Sequence, residues 1–237
     1  MKSILRRSIR AEKGFTLLEM SMVLIVIALI IGATTIGGDL QRNATYQKVT
    51  TDFIRGWQLS YLSYFNTIGV VPGDVPAAPT GMVNAAANTL LCGSNGTTGL
   101  RDVMYAAGVT MPVGRAEGFE DHYGYLDSNG NPQDIQVCFE NVPWSVPGAT
   151  AGTYVVQQKN VMIIYRLTPD LARMLDSMVD GVTDARFGDF REMANAALTT
   201  TPSLEWSKDN RQNYAGASVN LDESQVGVVT AYYLMNP

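Results

Sequence analysis

The amino-acid sequence predicts an α+β protein in which one long N-terminal helix packs against an antiparallel β-sheet. Apolar residues fill positions 15–37 almost without interruption, and they then recur every three or four residues as far as position 68. That spacing is typical of a helix. Beyond position 120, short alternating segments are separated by turn residues, which is the pattern of antiparallel strands.

The first 14 residues form a basic leader in front of the apolar stretch. They carry five Lys or Arg residues against one acid, a net charge of +4, and such a segment stays on the cytoplasmic side of a membrane. Residues 15–37 contain one ionisable side chain, Glu19. At 1.5 Å per residue they span about 34 Å as a helix, enough to cross a bilayer core. A secretory signal and a plain membrane anchor are the alternatives, but neither explains an acid one turn inside the span.

Residues 14–19 read Gly-Phe-Thr-Leu-Leu-Glu, and together with the basic leader they closely resemble the N-terminal motif of the type IV pilins and pseudopilins. The resemblance implies that a prepilin peptidase cuts between Gly14 and Phe15 and methylates the new Phe15 amine. It also implies that Glu19 pairs with the Phe15 amine of a neighbouring subunit in a filament. A carboxylate and an ammonium are each costly alone in hydrocarbon, and together they fix the register of two helices.

The resemblance implies a structural subunit of a type IV pilus or of a type II secretion pseudopilus. Such a subunit is a single-pass protein of the inner membrane until an assembly platform there extracts it into an extracytoplasmic filament, in the periplasm or at the cell surface. Its partners are other subunits, the prepilin peptidase, the assembly platform and the lipid bilayer. The alternative is a membrane-tethered binding module, such as an adhesin-like tip or a DNA-uptake minor pilin, that does not form the bulk of the filament.

This interpretation divides the chain into a leader (1–14), a transmembrane and filament-core half-helix (15–37), an amphipathic half-helix (38–68) and an extracytoplasmic globular domain (69–237). The amphipathic half carries one apolar stripe, formed by Tyr46, Val49, Phe53, Trp57, Tyr61, Phe65 and Ile68. An apolar stripe on one helix face requires cover, and we expect the sheet to supply it.

Within the globular domain, the sequence predicts short elements joined by turns. In chain order they are short helices at 84–90 and 100–107 in a loop-rich insertion at 74–118, one hairpin of strands 123–126 and 135–142, a second of strands 154–157 and 161–167, helices at 169–179 and 187–198, and a closing strand at 226–234. Thr168 is the expected N-cap of the helix that begins at Pro169.

Cys92 and Cys138 are the only cysteines, an even pair in a chain whose bulk is expected outside the cytoplasm, where oxidation is allowed. A disulfide between them would contribute about 4 kcal/mol and tie the insertion to the sheet. Two buried free thiols are the alternative. Major pilins often bracket a C-terminal loop with a disulfide, whereas this pair is central. Removing 14 of the 237 residues leaves 223, and this size favours a minor or specialised subunit.

The composition argues against nucleic-acid binding and against an enzyme. Without the leader, Lys and Arg number 12 against 21 acids, a net charge of −9, whereas nucleic-acid affinity comes mostly from clustered Lys and Arg. There is one histidine, His122, which we expect to be an ordinary surface residue. The sequence shows no nucleophile-and-base pair, no metal-ligand spacing and no phosphate-binding loop, so it predicts no catalysis and no cofactor beyond the calcium considered next.

Two acidic segments are candidates for structural calcium. Asp127, Asn129 and Asn131 offer oxygen atoms at alternate positions, as calcium loops do, but the later bidentate Glu of the full motif is missing. A simple turn is the alternative there. Asp176, Asp180 and Asp184 recur at every fourth position, so on one helix they would line one face and repel one another unless they are solvated or bridged by a cation.

Overall fold

A computed structural model describes residues 14–200, 204–208 and 226–236. The chain separates into two compact units, Met1–Asn43 and Ala44–Pro237. The helices are α1 (Leu17–Lys48), α2 (Arg55–Ile68), α3 (Leu100–Ala106) and α4 (Pro169–Asp180), with a π-helical segment at Val49–Ile54 and 3₁₀ turns at Val83–Ala85 and Met193–Asn195. The strands are β1 (His122–Leu126), β2 (Pro132–Pro147), β3 (Tyr154–Leu167), β4 (Phe190–Glu192) and β5 (Val229–Leu234). The α+β class is therefore confirmed.

The five strands form one antiparallel sheet in the order β1-β2-β3-β5-β4. The first predicted hairpin is confirmed, since β1 and β2 pair directly and Gly130 takes the left-handed conformation in the turn between them. The predicted turn at residues 158–160 is wrong, because β3 runs through it and pairs with β2. The Asn160 amide accounts for the error: it bonds the Asn141 amide, the Val83 N–H and the Gly81 carbonyl oxygen. These contacts hold a polar residue inside the strand.

The apolar stripe predicted on the helix packs on one face of this sheet. Tyr46, Val49, Phe53, Trp57 and Tyr61 are at most 3 % exposed. The ring contacts that join the stripe to the sheet are Phe53 with Tyr123, Trp57 and Tyr61 with Phe139, and Tyr46 with Tyr125. The expected packing of stripe on sheet is confirmed for these residues.

The opposite face of the sheet carries a second, smaller apolar cluster, which we call the outer cluster. Its buried members are Cys138, Val142, Trp144, Val161, Ile163, Ala196 and Tyr232. The disulfide between Cys92 and Cys138 is confirmed, with the two Cα atoms 4.6 Å apart. Beside it, Leu91 and Phe139 exchange both backbone hydrogen bonds. The bridge thus ties the loop-rich insertion to β2, as the sequence predicts.

The predicted helices of the globular domain are partly confirmed. α3 and α4 lie where the periodicity places them, but residues 84–90 contain only the end of a 3₁₀ turn. The predicted helix at 187–198 is wrong, because Phe190–Glu192 form strand β4 and pair with β5. The Asp180 carboxylate accepts hydrogen bonds from the Asp189 and Phe190 N–H groups, and this contact from a distant element turns the segment into the sheet.

α4 begins as the sequence predicts, with Thr168 at the N-cap position and Pro169 at the first helical position. The Thr168 hydroxyl makes no capping bond, however, and instead accepts a hydrogen bond from the Tyr125 hydroxyl at 3.2 Å. The Tyr125 oxygen in turn accepts from the Thr168 N–H at 2.9 Å. This exchange joins the start of α4 to the end of β1.

Candidate functional site

The first functional candidate is the N-terminal end of α1, which a reciprocal pair of hydrogen bonds closes. The Glu19 N–H donates to the Thr16 hydroxyl at 3.2 Å, and the Thr16 N–H donates to a Glu19 carboxylate oxygen at 3.4 Å. Because α1 begins at Leu17, Thr16 is the N-cap and Glu19 is the third helical residue. This arrangement is a capping box. The Thr-x-x-Glu spacing in the sequence is the signal of this box, whereas the resemblance to pilins implies only an intermolecular role for Glu19.

Gly14, Phe15 and Glu19 all lie at this end of the helix. Gly14 and Glu19 are exposed, and Phe15 is 75 % exposed. Among the described residues, nothing lies within 4 Å of a Cβ atom built on Gly14. The capping box keeps the Glu19 carboxylate one turn inside the helix, with Phe15 directly before the cap.

The apolar side chains that follow form the second part of this candidate. They are 42–92 % exposed. They comprise Phe15, Leu17, Leu18, Met20, Met22, Val23, Leu24, Ile25, Val26, Ile27, Leu29, Ile30 and Ile31. Exposed apolar surface of this extent marks an interaction site for protein or lipid. Within the part of the chain that the structure describes, no helix combines the length and the hydropathy required for a membrane span.

The first calcium candidate lies in the turn between β1 and β2, where Asp127 is 4 % exposed. One carboxylate oxygen of Asp127 accepts hydrogen bonds from the Asn129 and Asn131 N–H groups, both at 2.9 Å. The other accepts from the Gln133 side-chain amide at 2.9 Å. The carboxylate therefore closes its own turn. Among the described residues, no group of three or more His, Cys, Asp or Glu side chains is placed to hold a metal ion.

The second calcium candidate lies in α4. Asp176 is completely buried, and one of its oxygens accepts hydrogen bonds from the Asp184 N–H at 2.7 Å and the Trp206 indole N–H at 3.3 Å. Burial, with the nearby Asp180 and Asp184 charges, raises the pKa of Asp176 to about 7. Gly181 ends the helix in the left-handed conformation, so Asp184 does not share a helix face with Asp176. These acids hold the segment after α4 in place.

His122 is half-buried in a network of charged residues, so the expectation of an isolated surface histidine is wrong. Its Nδ1 lies 2.8 Å from an Asp134 oxygen, and its Nε2 lies 3.6 Å from an Asp121 oxygen. Arg101 contacts Glu120 at 3.3 Å and Asp121 at 3.2 Å. Spacing along the sequence could not reveal this network, because Arg101 and Asp134 lie in different elements. The acids and bases are engaged with one another, and the arrangement links α3 to β1 and β2.

Arg191 is a second residue whose role only the structure shows. Its guanidinium carbon lies 4.1 Å from the centre of the Trp144 ring, and one guanidinium nitrogen donates to the Ser145 carbonyl and hydroxyl oxygens. Its Nε donates to the Gly188 carbonyl oxygen. Burial lowers the pKa of Arg191 to about 10. The Arg191 side chain thus links the segment before β4 to the C-terminal end of β2 and stabilises the fold there.

The chain was compared with protein-family models, with curated proteins and with solved structures, and no match was found in any of the three.

Proposed function

We propose that this protein is a structural subunit of an extracytoplasmic filament of the type IV pilin or pseudopilin kind. The observation that carries the proposal is the exposed apolar surface of residues 15–31, which directly follows the capped Thr16–Glu19 turn. The resemblance of residues 14–19 to the pilin processing motif adds the expected chemistry: cleavage after Gly14 and methylation of the Phe15 amine.

A helix that is apolar on every side needs cover on every side. Burial of one large aliphatic or aromatic side chain contributes roughly 1.5–3 kcal/mol, so the exposed side chains of residues 15–31 are a strong driving force for association. Parallel copies of the same helix supply such cover in a filament core, and lipid supplies it before assembly. We therefore place the subunit in the inner membrane first and in the filament afterwards.

Glu19 has two separable roles in this proposal. Its carboxylate caps its own helix through the Thr16 N–H, and its charge is available to pair with the Phe15 amine of a neighbouring subunit. A glutamine at position 19 retains the capping geometry, because Glu and Gln both serve at the third position of a capping box. A valine at position 16 removes the cap and keeps the charge. The two changes distinguish a defect in helix capping from a defect in pairing.

The test follows Glu19→Gln and Thr16→Val in cells that carry the peptidase and the assembly platform. We expect Glu19→Gln to be processed after Gly14, to accumulate in the inner membrane and to be nearly absent from sheared filaments, because the neutral amide cannot neutralise the amine. Thr16→Val loses about 1 kcal/mol of capping, and we expect it still to enter filaments, at a reduced level. Immunoblots of the membrane and filament fractions measure both, and intact mass reports cleavage and methylation.

Entry of Glu19→Gln into filaments at the wild-type level would contradict the pairing role. If the wild-type protein itself never leaves the membrane fraction, the structural-subunit proposal fails and the membrane-tethered binding module replaces it. A mature mass that still includes residues 1–14 would contradict the processing step.

A further inference from the structure

A cleft of about 400 Å³ opens beside the outer cluster, on the face of the sheet opposite the helical stripe. Its lining comes from five parts of the fold. β2 contributes Glu140 and Val142, β5 contributes Tyr232, and the other lining segments lie around Asn88, Met193 and Ser207. This volume lies within the range of roughly 300–1,000 Å³ that is usual for ligand sites.

Glu140 places a carboxylate next to the apolar residues of the outer cluster. It alternates along β2 with Cys138 and Val142, which are both buried in the outer cluster, and it lies opposite Val161 of β3. No hydrogen bond or ion pair joins its carboxylate to another residue in the described part of the chain, and burial alone raises its pKa. Glu140 is partly buried, and a partly desolvated charge gains from a cationic partner.

The surroundings of Glu140 favour a cation. Burial, followed by the charge of Glu140, raises the pKa of Tyr232 to about 12 and also raises the pKa of Tyr165. Both phenols are neutral near pH 7, and the Tyr232 ring lines the cleft together with Glu140. Tyrosine rings attract cations through their faces. The second acid of the cleft, Glu192, already accepts hydrogen bonds from Ser207, so it adds negative charge without offering a free carboxylate.

No lysine or arginine is among the described residues that line the cleft. Three cationic residues lie near it. Lys159 lies opposite Val142 and makes no ion pair with Glu140 in the described structure. Lys208 follows the lining residue Ser207, and Arg191 lies opposite Tyr232 but is engaged with Trp144 and Ser145. The cleft therefore combines one unpartnered carboxylate, an aromatic ring and apolar walls formed by Val142 and Pro143. An alkyl stem that ends in a compact cation is complementary to each of these features.

We propose that this cleft binds a primary alkylammonium group, presented as the lysine side chain of a partner polypeptide. The ammonium contacts Glu140, and the methylene stem lies along Val142 and Pro143 beside the Tyr232 ring. The inference does not depend on the filament proposal, because any partner with an exposed lysine satisfies it.

The test titrates the full-length chain, solubilised in detergent, with n-butylammonium and follows the Tyr232 ring resonances by NMR. We expect saturable binding with a Kd of about 10 mM or tighter, and an affinity about tenfold weaker in Glu140→Gln. Glu117→Gln is the matched control, since it removes an exposed glutamate outside the cleft, and its affinity should equal that of the wild type. The affinity should fall as the pH is lowered through the pKa of Glu140.

A second arm separates a lysine side chain from a free amine. The peptide acetyl-Gly-Lys-Gly-amide should shift the same resonances, and its Nε-acetylated form should not. The inference is overturned if Glu140→Gln binds butylammonium as tightly as the wild type, if neutral n-butanol binds equally well, or if the lysine peptide gives no shift. If Lys159→Gln increases the butylammonium affinity tenfold, the side chain of Lys159 competes for the cleft and is its natural occupant. That result would also overturn the proposal that a partner's lysine binds there.

Discussion

Two helical stretches of this chain use apolar residues in opposite ways. Between Leu17 and Ile31 the large apolar side chains follow one another around the whole helix, and all of them are exposed. Between Tyr46 and Tyr64 they recur on one side, and the stripe is buried against the sheet. Residue type alone does not explain this difference. A one-sided stripe can be covered by a single sheet face, whereas a helix that is apolar all round needs neighbours on every side.

The largest expected effect on stability comes from truncating one large side chain to alanine in each stretch. Trp57 is completely buried against Phe139, and its indole N–H donates to the Glu120 carbonyl oxygen. Trp57→Ala should lower the free energy of unfolding by about 3–5 kcal/mol. Ile25→Ala removes exposed apolar surface and should change it by less than about 0.5 kcal/mol. Urea unfolding of the two variants measures the contrast, and a similar loss in both would refute the division into internal and intermolecular surfaces.

A second prediction concerns the disulfide between Cys92 and Cys138, which lies in the same unit as the buried stripe, Ala44–Pro237. Replacement of both Cys92 and Cys138 by alanine should lower the free energy of unfolding by about 4 kcal/mol, because the bridge restricts the unfolded chain. The far-UV circular dichroism of the whole chain should keep its helical signal. Thermal unfolding of the double variant, with the single Ser177→Ala as a surface control, decides the point. Unchanged stability would show that the bridge contributes little.

A third and smaller effect is the pH dependence of the free energy of unfolding, which we expect to arise from Asp176 in the Ala44–Pro237 unit. Burial raises the pKa of Asp176 to about 7 in the folded state, above the ordinary value of an aspartate, so the folded state holds a proton that the unfolded state releases. The stabilisation from this group is complete below about pH 4 and is lost as the pH rises through 7.

Asp176→Asn keeps an oxygen that can accept from the Asp184 and Trp206 N–H groups. We expect it to unfold with the wild-type free energy at pH 4 and to be more stable by about 3–4 kcal/mol at pH 8. Chemical unfolding at the two pH values measures the difference. A variant that is less stable than the wild type at pH 8 would contradict the raised pKa.

Three kinds of sequence signal predicted structure correctly, and each is read from residue type and spacing along the chain. The 3.6-residue period of the stripe that begins at Tyr46 placed its packing on the sheet, and the Asn-Gly turn placed the β1–β2 hairpin. The single pair of cysteines placed the disulfide. The Thr16–Glu19 capping box was also readable, because its two partners are three residues apart.

The errors arose where distant residues act on a short segment. Residues 158–160 look like a turn, yet Asn160 is held in β3 by contacts with Asn141 and with the insertion. Residues 187–198 have helical spacing, yet Phe190 lies in the sheet because it donates a hydrogen bond to Asp180 and pairs with strand β5. Local propensity is worth a fraction of a kcal/mol per residue, and a few tertiary hydrogen bonds outweigh it.

The sequence by itself determined the α+β class, the stripe and the disulfide partners, because each depends on spacing along the chain or on residue count. Only the tertiary structure decided that Glu140 and Tyr232 line one cleft, that Asp176 is buried, and that Arg191 stacks on Trp144. The physical reason is that the burial and the charged neighbours of a side chain depend on which remote strands and loops pack against it.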